Sequence, residues 1–250
     1  MENEIIKQLG LVSSNYNVKI LQACESGSRA WGFASPDSDF DVRFIYKNKP
    51  EWYLNLWEQC DFIQFMTKDD LDGSGWDLAK AIKLIAKSNI PLLEWINSPI
   101  QYIYNESFIK KMKSFAEVCF SPISAIHHYI GTTKNFIETT DKEEVKLKSL
   151  FYALRTALAG KLIIEFQTMP PVLLTEMLIL TDKAMETRIN ELIQYKKTKD
   201  ESYFYPKDEM INTFILETIN FNEMYAKKLS PGKNIKKELN EFFIEEIHRL

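Results

Sequence analysis

The stretch "ESGSRAWGFASPDSDFDVRFIY", Glu25 to Tyr46, joins Gly27-Ser28 to Asp39-Phe40-Asp41 across a ten-residue gap. The ten residues before Gly27, "NVKILQACES", are rich in β-forming residues and end at a glycine, which predicts a strand. Residues 40–46, "FDVRFIY", alternate between polar and apolar positions and predict a second strand. The stretch therefore predicts two strands joined by a turn that carries small and acidic residues.

The two aspartates indicate a metal site. Residues i and i+2 of a strand point to the same face, so the carboxylates of Asp39 and Asp41 are expected side by side. Two neighbouring carboxylates repel each other unless a cation lies between them. Mg²⁺ prefers carboxylate oxygen and keeps coordination positions open for substrate phosphates.

The Gly-Ser end of the stretch indicates a phosphate site. Gly27 allows a tight turn or a close approach of the backbone to a ligand. The hydroxyl of Ser28 can contact a phosphate oxygen, and a short helix over "SRAWG" would add free N–H groups. Phosphate and metal sites together form the two halves of a phosphoryl-transfer site. Several roles stay open for the two nearby arginines. Arg29 is a candidate surface residue, helix-end partner of Glu25 or phosphate contact, and Arg43 is a candidate partner of a site carboxylate or of a phosphate.

Composition limits the class of protein. The chain has 250 residues, 45% hydrophobic and 26% charged, which is typical of a globular protein. Its net charge of −4 excludes a generic nucleic-acid binder unless a local basic patch exists. Three widely spaced cysteines show no metal-ligand spacing and predict a reducing, cytoplasmic location. No apolar run is long enough to span a membrane, and the charged start argues against a signal peptide.

The pattern along the chain predicts an α+β fold with two domains. We expect a small mixed-sheet domain over residues 1–100, with a third strand over residues 60–67 and a helix starting near Asp77. An all-helical domain over residues 101–250 is expected to close a nucleotide cleft. Its predicted helices cover residues 107–120, 122–138, 141–166, 172–197, 207–228 and 234–249.

Several segments together resemble a known family. They are "GSRAWGFASPDSDFDVRFIY", "LDGSGWDLAKAIKLIAKSNIPLLEWINSPI", "KLKSLFYALRTALAGKLI" and Pro170-Pro171. The chain resembles the polymerase-beta-like nucleotidyltransferases, and within them the bacterial and phage RNA-repair-pathway branch. The resemblance implies transfer of a nucleoside monophosphate from an NTP to an acceptor hydroxyl, with release of pyrophosphate. It implies two Mg²⁺ ions, with Mn²⁺ as an alternative, at Asp39, Asp41 and a third acid. Gly27, Ser28 and Arg29 would hold the phosphates.

The third acid is expected on a later, neighbouring strand. Asp69, Asp70, Asp72 and Asp77 are the candidates, and we prefer Asp72. An extended "DDLDG" segment would place Asp72 beside the strand that bears Asp39 and Asp41. Asp77 fits a helix N-cap, and Asp69 and Asp70 fit a turn. The third acid would bind metal and deprotonate or orient the attacking hydroxyl.

A second polar pattern lies on the helix near residue 150. Lys148, Tyr152 and Arg155 are spaced i, i+4, i+7 and share one face, as in the K-x-x-x-Y-x-x-R pattern of the family. Lys148 and Arg155 would neutralise a triphosphate, and Tyr152 would stack on a base or sugar. The alternative is a solvated helix face.

The acceptor is left open among several classes. An RNA or tRNA end is favoured by the resemblance, while a protein hydroxyl and a small molecule such as an aminoglycoside stay as alternatives. A nucleotide-binding regulatory protein with weak or no catalysis is the main alternative from another class. A toxin-like transferase that arrests growth is a further one.

Overall fold

A computed structural model describes residues 1–67, 71–140 and 142–249. The strands are β1 (Lys19–Glu25), β2 (Phe40–Lys47), β3 (Phe62–Met66), β4 (Leu71–Asp77), β5 (Gln101–Tyr104), β6 (Glu144–Lys146) and β7 (Phe204–Pro206). The helices are α1 (Glu2–Tyr16), α2 (Gly27–Trp31), α3 (Pro50–Tyr53), α4 (Leu78–Ile85), α5 (Ile90–Asn97), α6 (Glu106–Cys119), α7 (Pro122–Thr140), α8 (Leu147–Phe166), α9 (Leu174–Met177), α10 (Lys183–Lys196), α11 (Glu209–Ala226) and α12 (Lys236–His248), with a 3-10 helix over Leu178–Leu180. The expected α+β class is confirmed.

The chain forms two compact units that do not follow chain order. Unit 1 contains Met1–Ala30, Asp39–Cys119 and Lys233–Leu250, and unit 2 contains Trp31–Ser38 and Phe120–Gly232. The chain therefore leaves unit 1 within the opening motif and returns to it at Asp39. The predicted domains 1–100 and 101–250 stay a prediction.

A five-stranded mixed sheet forms the centre of unit 1. Its order is β3-β4-β2-β1-β5, with β2 and β4 parallel and the other neighbours antiparallel. The strands predicted over residues 17–26, 40–46 and 60–67 are confirmed as β1, β2 and β3. Because β2 lies between β1 and β4, Asp41 near its start has a neighbouring strand on each side.

Two glycines of β4 allow aromatic rings to pack on its backbone. A Cβ added at Gly73 would lie 2.1 Å from the Phe65 ring, and one at Gly75 would lie 2.0 Å from the Phe44 ring. Phe44 and Phe65 stack on each other with centroids 6.3 Å apart. The rings occupy the apolar side of the sheet, which leaves the opposite side of β4 to Asp72 and Ser74.

An N-terminal helix that the sequence analysis did not predict covers the apolar side of this sheet. Ile5, Leu9 and Val12 are spaced i, i+4, i+7 on α1 and are buried in one cluster with residues of β1 and β2. The C-terminal helix α12 also belongs to unit 1, where Phe242 packs on Phe108 with centroids 6.1 Å apart.

Unit 2 is built around α8, which is buried along most of its length. Gly160 permits close packing there, because a Cβ at this position would lie 2.4 Å from Asn222 Nδ2 on α11 and 3.0 Å from Ile126 Cδ1 on α7. The Thr133 hydroxyl of α7 donates to the Thr156 hydroxyl of α8 at 2.8 Å. No described helix of the protein combines the length and apolar character that crossing a membrane requires.

Two predicted helices of the second half were wrong in extent. The helix predicted from residue 141 begins at Leu147, since residues 144–146 pair with residues 204–206 as β6 and β7. The helix predicted over residues 172–197 is divided into α9, the 3-10 helix and α10. Asp182 caps α10 by accepting a hydrogen bond from the Met185 N–H at 2.8 Å, which fixes a new helix start.

Candidate functional site

Asp41 and Asp72 lie directly opposite each other on the parallel strands β2 and β4. The register follows from the run Phe40 to Tyr46 pairing residue for residue with Leu71 to Asp77. Paired residues of neighbouring strands point to the same face of a sheet, so the two carboxylates share one face. The prediction that Asp72 lies beside the strand of Asp39 and Asp41 is confirmed.

Arg43 joins these two acids. Its Nη2 donates to Asp41 Oδ1 at 2.7 Å and to Asp72 Oδ2 at 2.8 Å. Its Nη1 donates to the Asp72 carbonyl at 3.0 Å and to the Val42 carbonyl at 3.2 Å. Of the two partners left open for Arg43, the structure shows the carboxylate. The two acids thus already converge on one positive charge, the arrangement that a divalent cation also requires.

Gly27 brings the Gly-Ser end of the motif against Asp41. Its φ of +61° is in the left-handed region, which a residue with a side chain adopts at a cost. A Cβ at this position would lie 2.1 Å from Asp41 Oδ2. The Ser26 N–H donates to the Asp41 carbonyl at 2.9 Å, which continues the β1–β2 pairing up to the glycine. The two ends of the motif are therefore adjacent in space.

Glu25 positions the backbone of Asp41, a role that the sequence analysis missed. Its Oε1 accepts a hydrogen bond from the Asp41 N–H at 2.7 Å, and its Oε2 accepts one from the Tyr102 hydroxyl. The Ser98 hydroxyl donates to the Glu25 carbonyl at 2.6 Å. Burial raises the pKa of Glu25 above its ordinary value, while the bonds from Tyr102 and the Asp41 amide act against this rise. The sequence offered one signal for the role of Glu25, which is an acidic residue at the end of an apolar strand. It offered no such signal for Tyr102.

The other residues predicted at the motif have different surroundings. Ser28 lies in the first turn of α2 and is buried, and its hydroxyl forms no hydrogen bond within the described part of the chain. Asp39 is exposed, and its carboxylate has no ion-pair partner among the described residues. Arg29 donates from Nε to the Asp39 carbonyl at 3.0 Å and lies 3.8 Å from the centroid of Phe40.

Of the alternatives for the third acid, Asp77 has a structural task. It is buried and accepts hydrogen bonds from the Ala79 N–H at 2.8 Å, Asn48 Nδ2 at 2.9 Å and the Tyr53 hydroxyl at 2.9 Å. The predicted helix N-cap is confirmed. Asp69 and Asp70 lie outside the described residues.

Metal binding by Asp39, Asp41 and Asp72 stays a prediction. Across residues 1–67, 71–140 and 142–249, no three His, Cys, Asp or Glu side chains are grouped so as to hold a metal ion. The chemistry of the described pair nevertheless fits a cation, because Arg43 already fills that place between two carboxylates.

The predicted triphosphate residues of α8 lie in unit 2 and contact the 31–38 segment or other parts of that unit. Lys148 pairs with Glu201 at 2.9 Å, and Tyr152 packs edge-on to Trp31 with centroids 4.9 Å apart. Arg155 is 2% exposed, lies 4.3 Å from the Trp31 ring centroid, and donates to the Val172 carbonyl from Nε at 3.2 Å. Nucleotide binding by these three side chains stays a prediction.

The 31–38 segment is held in unit 2 by several further contacts. Phe33 stacks on Phe151 with centroids 5.0 Å apart. The buried Lys196 donates to the Ser35 hydroxyl at 2.7 Å, and Asp37 Oδ1 accepts a hydrogen bond from the Glu201 N–H at 2.8 Å. The ten-residue gap of the motif is thus an anchored segment and not a free loop.

Comparison with known proteins identifies the family. The RNA repair pathway DNA polymerase beta family matches residues 1–245. The chain belongs to this family. An uncharacterized protein of Bacillus subtilis (strain 168), YcgL, is 35% identical over 254 aligned residues, which cover 100% of this chain and 98% of the relative. Membership in the RNA repair pathway DNA polymerase beta family places the chain with the polymerase-beta-like nucleotidyltransferases.

Proposed function

We propose that this protein is a metal-dependent nucleotidyltransferase that moves a nucleoside monophosphate from an NTP to an acceptor hydroxyl. The observation that carries the proposal is the pairing of Asp41 with Asp72 across one cation, directly beside Gly27. An oxygen of the acceptor would form a bond to the α-phosphorus while the bond from that phosphorus to the bridging oxygen breaks. Pyrophosphate leaves, and a carboxylate accepts the proton of the hydroxyl.

Each residue of the motif has a defined part in this proposal. Asp41 and Asp72, with Asp39, would hold one or two Mg²⁺ ions after Arg43 releases their oxygens. A bound divalent ion would supply positive charge that balances the charge developing on the transferred phosphate. The hydroxyl of Ser28 would donate to a phosphate oxygen. Asp72 would orient and deprotonate the acceptor hydroxyl.

An RNA end is the acceptor class that we favour. The support is the description of the family, which refers to RNA repair. Protein hydroxyls and small molecules are the competing acceptors, and each leaves labelled product in a different fraction.

The experiment uses the full chain with each of the four α-labelled NTPs, Mg²⁺ or Mn²⁺, and total RNA, total protein or small metabolites. We expect label in RNA with the wild type and none with Asp39→Asn plus Asp41→Asn. The charge-matched control is Glu106→Gln plus Glu117→Gln, two exposed acids on α6, which should keep full transfer. Full transfer by the Asp39/Asp41 double variant would refute the proposal, and label in protein would move the acceptor to a protein hydroxyl.

A nucleotide-binding regulatory protein is the second candidate. It is favoured by Arg43, which neutralises Asp41 and Asp72 in the structure. This candidate predicts that an NTP binds with measurable heat in calorimetry, while no label is transferred under any of the acceptor conditions.

A further inference from the structure

A groove on unit 1 lies at the opposite end of β4 from Asp72. It has a volume of about 1030 Å³ and is lined by α3, the segment over residues 55–62, α4 and α12. The groove shares no residue with the pair Asp41 and Asp72. It reaches β4 at Asp77, five residues after Asp72, which is roughly 16 Å along the strand. It is therefore a separate surface.

The charge of this groove is positive although the chain is acidic. Lys83, Lys87 and Lys236 line it, are exposed, and have no acidic partner within the described residues. Lys80 also lines it and pairs with Asp61 at 2.8 Å. The remaining acids of the lining are Asp77, which is buried as a helix cap, and the exposed Glu58. Four lysines and three acids give the lining a formal net charge of +1. Because three of the lysines have no acidic partner among the described residues, they form the local basic patch that an anionic partner requires.

Aromatic side chains lie among these lysines. Trp57 is 77% exposed, although a large aromatic ring normally gains from burial. Tyr53 packs edge-on to Phe243 with centroids 5.1 Å apart, and Trp52 packs on Tyr53 at 5.0 Å. The groove thus has a packed aromatic lining and an exposed indole ring at Trp57. Proteins bind single-stranded nucleic acid through exposed aromatic rings that lie between cationic side chains. The bases stack on the rings, and the backbone phosphates pair with the cationic groups.

We propose that this groove binds single-stranded RNA, with backbone phosphates at Lys83, Lys87 and Lys236 and one unpaired base stacked on Trp57. RNA is chosen over DNA because the family is described by an RNA repair pathway. The inference rests on the proposed function in one respect only, which is that the bound strand belongs to the acceptor.

The first experiment measures the affinity of the full chain for a short labelled RNA by fluorescence anisotropy, from about 50 to about 200 mM salt. Each phosphate contact on a single strand contributes about 0.7 to the slope of log affinity against log salt concentration. Lys83→Gln plus Lys87→Gln should therefore reduce the slope by about 1.4. Lys110→Gln plus Lys111→Gln on α6 changes the net charge equally outside the groove and should leave the slope unchanged.

The second experiment tests stacking. Trp57→Ala should weaken RNA binding at least about fivefold, and Trp57→Phe should restore most of it because a phenyl ring also stacks. Since Trp57 is on the surface, both variants should keep the melting temperature of the wild type. Binding of RNA should also quench the tryptophan fluorescence of the wild type more than that of Trp57→Phe.

Several outcomes would overturn the groove as an RNA site. The first two are that the wild type binds no RNA, and that the groove variants bind RNA as tightly as the wild type does. The others are that DNA of the same sequence, or an RNA duplex, which has no unpaired base, binds more tightly than the single-stranded RNA. Preference for an acidic peptide over RNA would overturn it as well. The proposed function and the groove can be refuted separately. If the groove variants lose RNA binding but the wild type transfers no label, only the enzyme activity is refuted. If the wild type transfers label but RNA binding does not depend on the groove residues, only the groove is refuted.

Discussion

Replacing Arg43 by methionine removes the cation that Asp41 and Asp72 share. Nη2 is 2.7 Å from one carboxylate and 2.8 Å from the other, so the two bonded oxygens are at most about 5.5 Å apart. Two like charges at that distance repel by about 3 kcal/mol at an effective dielectric constant of about 20. The two acidic side chains are 30% and 36% exposed, and water reduces this repulsion. We expect Arg43→Met to lower the free energy of unfolding by about 2 kcal/mol in metal-free buffer.

Divalent cations should reverse this loss. In the wild type a cation must displace the guanidinium from the two carboxylates, whereas in Arg43→Met there is no guanidinium to displace. A ligand at about 100 times its Kd stabilises a folded protein by about 2.7 kcal/mol. Urea unfolding with EDTA and with Mg²⁺ should therefore show a larger gain for Arg43→Met than for the wild type, and calorimetry should show tighter Mg²⁺ binding.

Arg188→Met is the matched control. Arg188 in unit 2 donates to Asp208 Oδ2 at 2.8 Å, so its loss also breaks an arginine–aspartate pair. This variant should lose stability in EDTA and gain nothing extra from Mg²⁺. If Arg43→Met lost stability but responded to Mg²⁺ no more than the wild type, the competition between Arg43 and a cation would be refuted.

Three further predictions concern single positions. Gly27→Ala should slow label transfer by about a hundredfold, because its Cβ would displace Asp41, and an unchanged initial rate would contradict this. Gly160→Ala should lower the free energy of unfolding in urea by about 1–3 kcal/mol, because the added methyl group overpacks the contact with α7 and α11. Gly131→Ala places its methyl group in open space and should raise this free energy by about 0.5–1 kcal/mol. Equal effects of the two substitutions would contradict the packing at Gly160. Burial raises the pKa of Asp77, so the Asp77 carboxyl binds its proton more tightly in the folded state than in the unfolded chain. The free energy of unfolding should therefore fall as the pH rises from 3.8 through the raised pKa. Asp77→Asn keeps a cap and should lack that component in a pH series of urea unfoldings; an unchanged pH dependence would contradict it.

The local parts of the site followed from the sequence. Residues 40–46 alternate, so the sequence predicts correctly that Asp41 and Val42 face opposite sides of β2. Asp77 was predicted as a helix cap from its position before an apolar-periodic run. Asp72 was preferred because an extended segment next to β2 would bring it beside Asp41. The parallel register of β2 and β4 does pair Asp72 with Asp41.

The non-local parts could not be predicted in the same way. Glu25, Tyr102 and Ser98 come together only through the pairing of β1 with its neighbours, and no spacing in the sequence encodes that contact. The break before α10 depends on Asp182 competing as a cap against a continuous helical pattern. The helix α1 was missed although its apolar residues recur at i, i+4 and i+7, because the charged start of the chain was considered only as an argument against a signal peptide.

The return of α12 to unit 1 affects the order in which the protein is completed during synthesis. Residues 120–232 of unit 2 separate Cys119 from the last segment of unit 1. At about 5–20 residues per second, a ribosome needs roughly 6–23 s to make these residues. During that interval α6 of unit 1 lacks the helix whose Phe242 packs on Phe108 and Phe115. The apolar face of α6 would be exposed meanwhile and would be a target for chaperones, so loss of α12 should harm folding yield more than its short length suggests.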